Sequence, residues 1–336
     1  MPVAVLCYHS WNIDPELVAS DLQQLLAEGW TALTLAELLQ IKRGVRPQAG
    51  KLFHVTNDDV SVTDENLARV LHELNVPATF FVPTGLIPQD RVGFYQELDR
   101  GGLIAIEDHS LYHRKMFSGS RLAGFHSSRS ESMSLDHLQL QDGMPVVESA
   151  SDLAGPMFRI NQHINEYCLE HSRNVDWADE TEISGRIVAP LISLGLAKRR
   201  NGGIYLSGTY ETGEECKARI HNTVVSGKTS FESIFGRSPT AYCYPFYQHT
   251  TFLEKSLLNL GYQLQFGGGN IFWNGKTPLV FRFSIDRKTN RPINFDTDFK
   301  LPPVTRAALW ARSKGLGAAV DAAKRIAQRH LGQFRK

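Results

Sequence analysis

The stretch "KLFHVTNDDVSVTDENLARVLHELNVPATFFVP", residues 51–83, decides the fold. "KLFHV" is a short apolar run that reads as a buried strand, "TDENLARVLHELN" has a helical period, and "ATFFV" is strand again. The same alternation extends towards the N-terminus. "VAVLC" (3–7) is a strand, and "PELVASDLQQLLAEGW" carries Leu17, Leu22, Leu25 and Leu26 at helical spacing, with Asp14 as N-cap before Pro15. "TALTLAELLQIKRG" is a short extended piece followed by a helix ending at Gly44. A βαβαβ run with short connections predicts an α/β fold, a parallel sheet or a barrel. In such folds ligands gather at the C-terminal ends of the strands. His9, Asp58, Asp59 and Thr84 all follow strands and are expected on one face.

The whole chain has 336 residues, 42% apolar and 21% charged, enough for one large core or a domain with an insertion. Lys+Arg (36) nearly balances Asp+Glu (35), so no global field draws the chain to a polyanion, and no nucleic-acid partner is expected. Cys7, Cys168, Cys216 and Cys243 are far apart, with no C-x-x-C pair, and read as reduced thiols. The N-terminus lacks a basic n-region and its apolar run stops at Tyr8-His9, which gives a cytoplasmic expectation.

Two motifs carry chemistry. Asp58-Asp59 follows the strand, and "HSLYH" places His109 and His113 four apart after "GGLIAIEDHS". One turn of helix or a tight loop would aim both imidazoles the same way. Adjacent carboxylates repel unless a cation lies between them. A divalent metal held by one carboxylate and two imidazoles leaves room for a water, and the other carboxylate is then free to take its proton. Each motif alone also has a plain structural reading, as turn chemistry, as an N-cap, or as chance spacing. At corresponding ends of alternating elements, together, they favour the metal site.

The order of segments resembles the polysaccharide deacetylase superfamily of metal-dependent carbohydrate esterases, in the branch that opens with a Y-H-S strand. The resemblance runs through "VLCYHS", "VTNDDVSVTDENLARVLHELNVPATFFVPTGLI", "IEDHSLYH", "AYCYPFYQ" and "PLVFRFSID", covering roughly 1–118 and 212–290. It implies a distorted (β/α) barrel of seven or fewer strands. It implies further that Asp58 is the general base, that Asp59, His109 and His113 bind a metal, usually zinc, and that the Phe246 N–H serves the oxyanion. The family's acid is a histidine whose usual late position is empty here, with no His between 249 and 330. In the Y-H-S branch that histidine lies at the N-terminus, and the resemblance to this branch makes His9 the candidate acid, with His249 in reserve. The family's usual Phe and Gly around the two aspartates are here Asn57 and Val60, and Tyr247 replaces a Gly. The arginine that braces the base in the Y-P stretch is replaced by Tyr244, leaving Arg282 in "FRFSID" as its substitute.

The implied activity is N-deacetylation of an N-acetylated sugar in a nucleotide- or lipid-linked intermediate of surface polysaccharide (O-antigen or capsule) assembly. The ligand set also suits Co, Ni or Mn. Alternatives are a non-catalytic sugar-binding or scaffold protein on a degenerate barrel, and a deformylase using the same chemistry. Residues 1–118 and 212–300 are expected to form the barrel. Residues 119–211 read as an α+β insertion with a helical period through Phe158, Ile164, Tyr167 and Cys168, and its end, a helix, Leu-Gly-Leu and a hairpin at Asn201-Gly202-Gly203, resembles a winged helix. The tail 301–336 has apolar Val320, Ala323, Ile326, Ala327, Leu331 and Phe334 among basic residues, a basic amphipathic helix for the barrel, a homodimer mate or an anionic membrane surface. Trp11 is either a sugar platform or a core residue.

Overall fold

A computed structural model describes residues 3–127, 133–172, 175, 179–269 and 272–285; the tail helix expected over 301–336 lies outside them. The chain begins with β1 (Val3–Tyr8), α1 (Pro15–Ala27), β2 (Trp30–Ala32), α2 (Leu35–Lys42), β3 (Lys51–Asp58), α3 (Asp64–Glu73), β4 (Ala78–Val82), α4 (Val92–Gly101) and β5 (Ile104–Asp108). It continues with β6 (Lys115–Phe125), β7 (Pro145–Ser151), β8 (Phe158–Ile160), α5 (Gln162–His171), α6 (Glu180–Ile183), α7 (Ala189–Ser193), β9 (Ala197–Arg200), β10 (Gly203–Leu206), β11 (Gly208–Tyr210) and α8 (Gly213–Phe235). β12 (Ala241–Cys243), α9 (Thr251–Asn259), β13 (Leu264–Gly268) and β14 (Leu279–Ser284) complete it.

There are two compact units. Of the described residues, the first holds those within Met1–His109, Ser230–Cys243 and Gly261–Lys336, and the second those within Ser110–Thr229 and Tyr244–Leu260.

The first unit is the barrel. Its parallel strands run in the order β1-β14-β13-β12-β5-β4-β3, and β1 pairs with β3 over Val3↔Leu52 to Tyr8↔Asn57, which closes a ring of seven. β2 hangs on β3 outside the ring. The helices are set by local signals: Asp14 caps α1 ahead of Pro15, and Thr34 with Glu37 makes a capping box for α2. Alternation along β3 sorts its side chains. Phe53 and Val55 pack with Leu67 and Leu71 of α3, while Leu52, His54, Thr56 and Asp58 take the opposite face. Polarity on that inner face rises towards the C-terminal end of the strand. Glu107 of β5 accepts from the backbone N–H groups of Thr240 (2.6 Å) and Ala241 (2.8 Å), holding the β5–β12 seam, where the register has one pair, Tyr242↔Asp108.

The second unit has a four-stranded sheet, β7-β6-β10-β9, and a two-stranded sheet, β11-β8. The β9–β10 hairpin turns on Asn201 and Gly202, both at positive φ (47° and 72°), the geometry of a type I′ turn. Two helical expectations change. The periodicity that includes Phe158 predicts helix there, yet Phe158 lies in β8 opposite Tyr210, because Asn161 caps α5 through His163 N–H and starts the helix later. The single helix expected before the hairpin is broken by a π-turn over Ser184–Val188. Pro190 supplies the cause: its ring excludes the carbonyl one turn back, and the ladder widens, with Ala189 N–H reaching Ser184 O.

Candidate metal and catalytic centre

Asp58 is the last residue of β3 and is 2% exposed. An isolated carboxylate there would be heavily penalised. Arg282 of β14, itself fully buried, donates Nη1 to Oδ1 at 2.6 Å and Nη2 to Oδ2 at 2.8 Å, and its Nη1 also reaches Thr56 Oγ1 at 3.2 Å. Burial pushes the Asp58 carboxyl up, but the Arg282 charge and its paired hydrogen bonds outweigh it and hold the group well below the usual carboxylate range. Asp58 is ionised at any working pH.

Two thiols flank this pair. Cys243 Sγ lies 3.3 Å and Cys7 Sγ 3.6 Å from Asp58 Oδ2, and Arg282 Nη2 donates to Cys243 Sγ at 2.9 Å. Burial pushes the Cys243 thiol up, so it stays protonated and donates. In the first unit, ligand atoms of Asp58, His109 and Cys243, and of Cys7, His9 and Asp58, come within 4.8 Å of one another. Arg282 already neutralises Asp58, so the carboxylate with charge to offer a metal is Asp59.

His109 follows β5. Its Nδ1 lies 3.0 Å from Cys243 O; a carbonyl only accepts, so Nδ1 carries the proton and Nε2 keeps its lone pair. Burial lowers its pKa from 6.5 to about 4 against the pull of Asp58, and the ring is neutral at neutral pH. Nε2 faces Asp59 Oδ1 at 3.7 Å and Asp58 Oδ2 at 4.0 Å. A lone pair opposed to two carboxylates is repulsive without a cation, and this donor set fits a divalent ion. The carbonyl bond to the far nitrogen is the usual device for aiming a ligand imidazole.

Asp59, the residue after β3, sits at φ 74°, a left-handed conformation that costs a non-glycine residue. Trp11 Nε1 donates to its Oδ2 at 3.2 Å, while the indole is 58% exposed. His9 precedes the short turn Ser10–Asn12 and lies edge-on to Trp11, ring centres 5.8 Å apart.

The other predicted residues belong to the second unit. His113, at φ 48°, donates its N–H to Ser110 Oγ (3.1 Å), and its ring packs on Phe246 at 4.2 Å. Phe246 and Tyr247 also have positive φ, 56° and 58°. Tyr247 thus keeps the backbone shape a glycine would adopt freely. Tyr244 stacks on His249, which pairs with Glu254 at 3.1 Å.

Cys7 and Cys243 are free thiols, as their wide spacing in the sequence predicts, but their place beside Asp58 is not part of that reading. Cys7 lies near the end of β1, and His9, still extended just past the strand, is two residues on, so alternation sets the two on one side. Cys243 meets Asp58 from β12, which no local pattern reveals.

No family model matches the chain, and no curated protein matches it. Solved structures do. A de-N-acetylase from Aggregatibacter actinomycetemcomitans aligns with TM-score 0.58 and 15% identity over 89% of this chain and 100% of its own. The BpsB deacetylase domain from Bordetella bronchiseptica gives 0.55 and 12% over 84% and 95%, and IcaB from Ammonifex degensii 0.51 and 16% over 84% and 91%. At such identities the likeness lies in the path of the backbone, and this chain has the polysaccharide deacetylase fold, a (β/α) barrel of seven strands.

Proposed function

We propose that the protein is a metal-dependent N-deacetylase of the polysaccharide deacetylase type, acting on an N-acetylated sugar. The observation that carries this reading is the division of labour between adjacent carboxylates: Asp58 is held ionised by Arg282, and Asp59 faces the lone pair of a neutral His109. Asp59 and His109 are proposed as ligands of a divalent ion, zinc first, with His113, four residues further along the chain, as the third. When bound, the ion polarises the acetyl carbonyl and brings a water's pKa down towards about 7.

The chain's own residues do the rest. Asp58 accepts the proton of the attacking water as the C–O bond forms; its basicity is low, so it works by position. The Phe246 N–H donates to the carbonyl oxygen as negative charge grows there. His9 gives a proton to the amine nitrogen as the C–N bond breaks, leaving acetate and a free amino sugar. The substrate we favour is a nucleotide- or lipid-linked intermediate of surface polysaccharide assembly. That choice comes from the family resemblance alone.

The test is metal content of the wild type and of an Asp59→Ala, His109→Ala double variant, alongside acetate release from a panel of N-acetylated sugars. The reading expects about one divalent ion per chain, lost in the variant. A wild type that never binds metal would sink it in favour of a binding or scaffold role.

A further inference from the structure

We propose that Asp64 is a positioning residue that locks the His9 turn to the loop carrying Asp58 and Asp59. The proposal rests on the deacetylase reading for its kinetic consequence. Asp64 opens α3 and is fully buried, six residues past the base. Four donors converge on its two oxygens. Oδ1 accepts from Ser10 Oγ at 2.5 Å and Asn57 Nδ2 at 2.9 Å; Oδ2 accepts from Ser61 N–H at 3.0 Å and Tyr95 Oη at 2.5 Å.

These partners are not scattered. Ser10 immediately follows His9, whereas Asn57 and Ser61 bracket Asp58-Asp59-Val60. Asn57 Oδ1 closes the circuit by accepting the Ser10 backbone N–H at 2.9 Å, and Asn12 N–H returns to His9 O at 3.0 Å. Trp11, on the same turn, donates to Asp59. Burying a carboxylate here is expensive, and an apolar core would be cheaper unless the bonds fix something. What they fix is the separation between the proposed acid and the proposed base. Asn57, an unexplained departure in the sequence, acquires a purpose: it is a member of this clamp.

An acid matters in proportion to how badly the leaving group needs a proton. A departing sugar amine needs one, whereas a nitrophenolate does not. Displacing His9 by about 1 Å is enough to cost about 10²-fold on the amide. Asp64→Asn keeps the shape and removes one acceptor; Ser10→Ala removes a single hydroxyl and leaves Asp64 intact. In both, kcat for an N-acetylated amino sugar should fall at least tenfold more than kcat for 4-nitrophenyl acetate, with KM steady, and His9→Ala should abolish the added effect of Asp64→Asn. Independently of activity, the indole N–H resonance of Trp11, identified through Trp11→Phe, should shift in Asp64→Asn while those of the other four tryptophans stay put. Equal losses on both substrates, or an unmoved Trp11 resonance, would overturn the proposal. A wild type that hydrolyses neither substrate would instead remove the deacetylase reading, and the Trp11 resonance would still decide whether Asp64 sets the turn.

Discussion

Arg282 and Asp58 are a buried ion pair with two parallel hydrogen bonds, and removing one partner strands the other in the barrel interior. Arg282→Met should therefore cost about 3–5 kcal/mol in denaturant unfolding, while the Arg282→Met, Asp58→Asn double variant recovers most of that loss. Both variants should lose deacetylation, since each alters the proposed base. Tyr247 carries a different kind of cost. It holds a left-handed conformation (φ 58°) where the resembling family has glycine, so Tyr247→Gly should stabilise the chain by about 1 kcal/mol, measured by the denaturation midpoint at constant slope. The aspartate pair and the two histidines were legible because strand-end position and spacing are local properties. The contact between Cys243 and Asp58 joins residues 185 apart in sequence, and only barrel closure creates it.

Among the elements, β3 shows most directly how alternation makes a site. Its inner face runs from Leu52 through His54 and Thr56 to Asp58, and His54 is fully buried between Leu33 O (2.7 Å) and Thr79 Oγ1 (3.1 Å). Burial lowers the His54 pKa from 6.5 to about 4. The folded protein then holds fewer protons than the unfolded chain inside that window, so this residue makes stability rise with pH from 4 to 6.5. Glu107 acts in the opposite sense: burial raises it from 4.5 to about 7, and its contribution falls as pH rises across that range. A His54→Gln comparison isolates the first effect. The stability difference, wild type minus variant, should grow by on the order of 3 kcal/mol between pH 4 and 6.5. The β-α-β order was readable from periodicity because each element there buries one stripe or face. The Phe158 strand and the π-turn before Pro190 were not, since a cap and a ring clash override an otherwise helical pattern.

At the scale of the molecule, a ligand that binds only the folded protein must stabilise it. With free zinc at about 100 times its Kd, unfolding should become harder by about 2.7 kcal/mol, and a chelator should remove that increment together with acetate release. Asp59→Ala should show no such increment. Among the described residues no helix is long and apolar enough to cross a membrane.

The pairing of β1 with both β3 and β14 has a consequence during synthesis. One edge of the first strand is covered as soon as residue 58 is made, whereas the other waits for β14, ending at Ser284. At roughly 5–20 residues per second that interval is on the order of ten seconds to three-quarters of a minute. Throughout it the nascent chain displays a fully apolar parallel strand with an open flank, the kind of template that recruits foreign strands. Expression slowed by low temperature lengthens this exposure, so yield of folded protein should depend on chaperones that shield the N-terminal third of the chain until its last strand arrives.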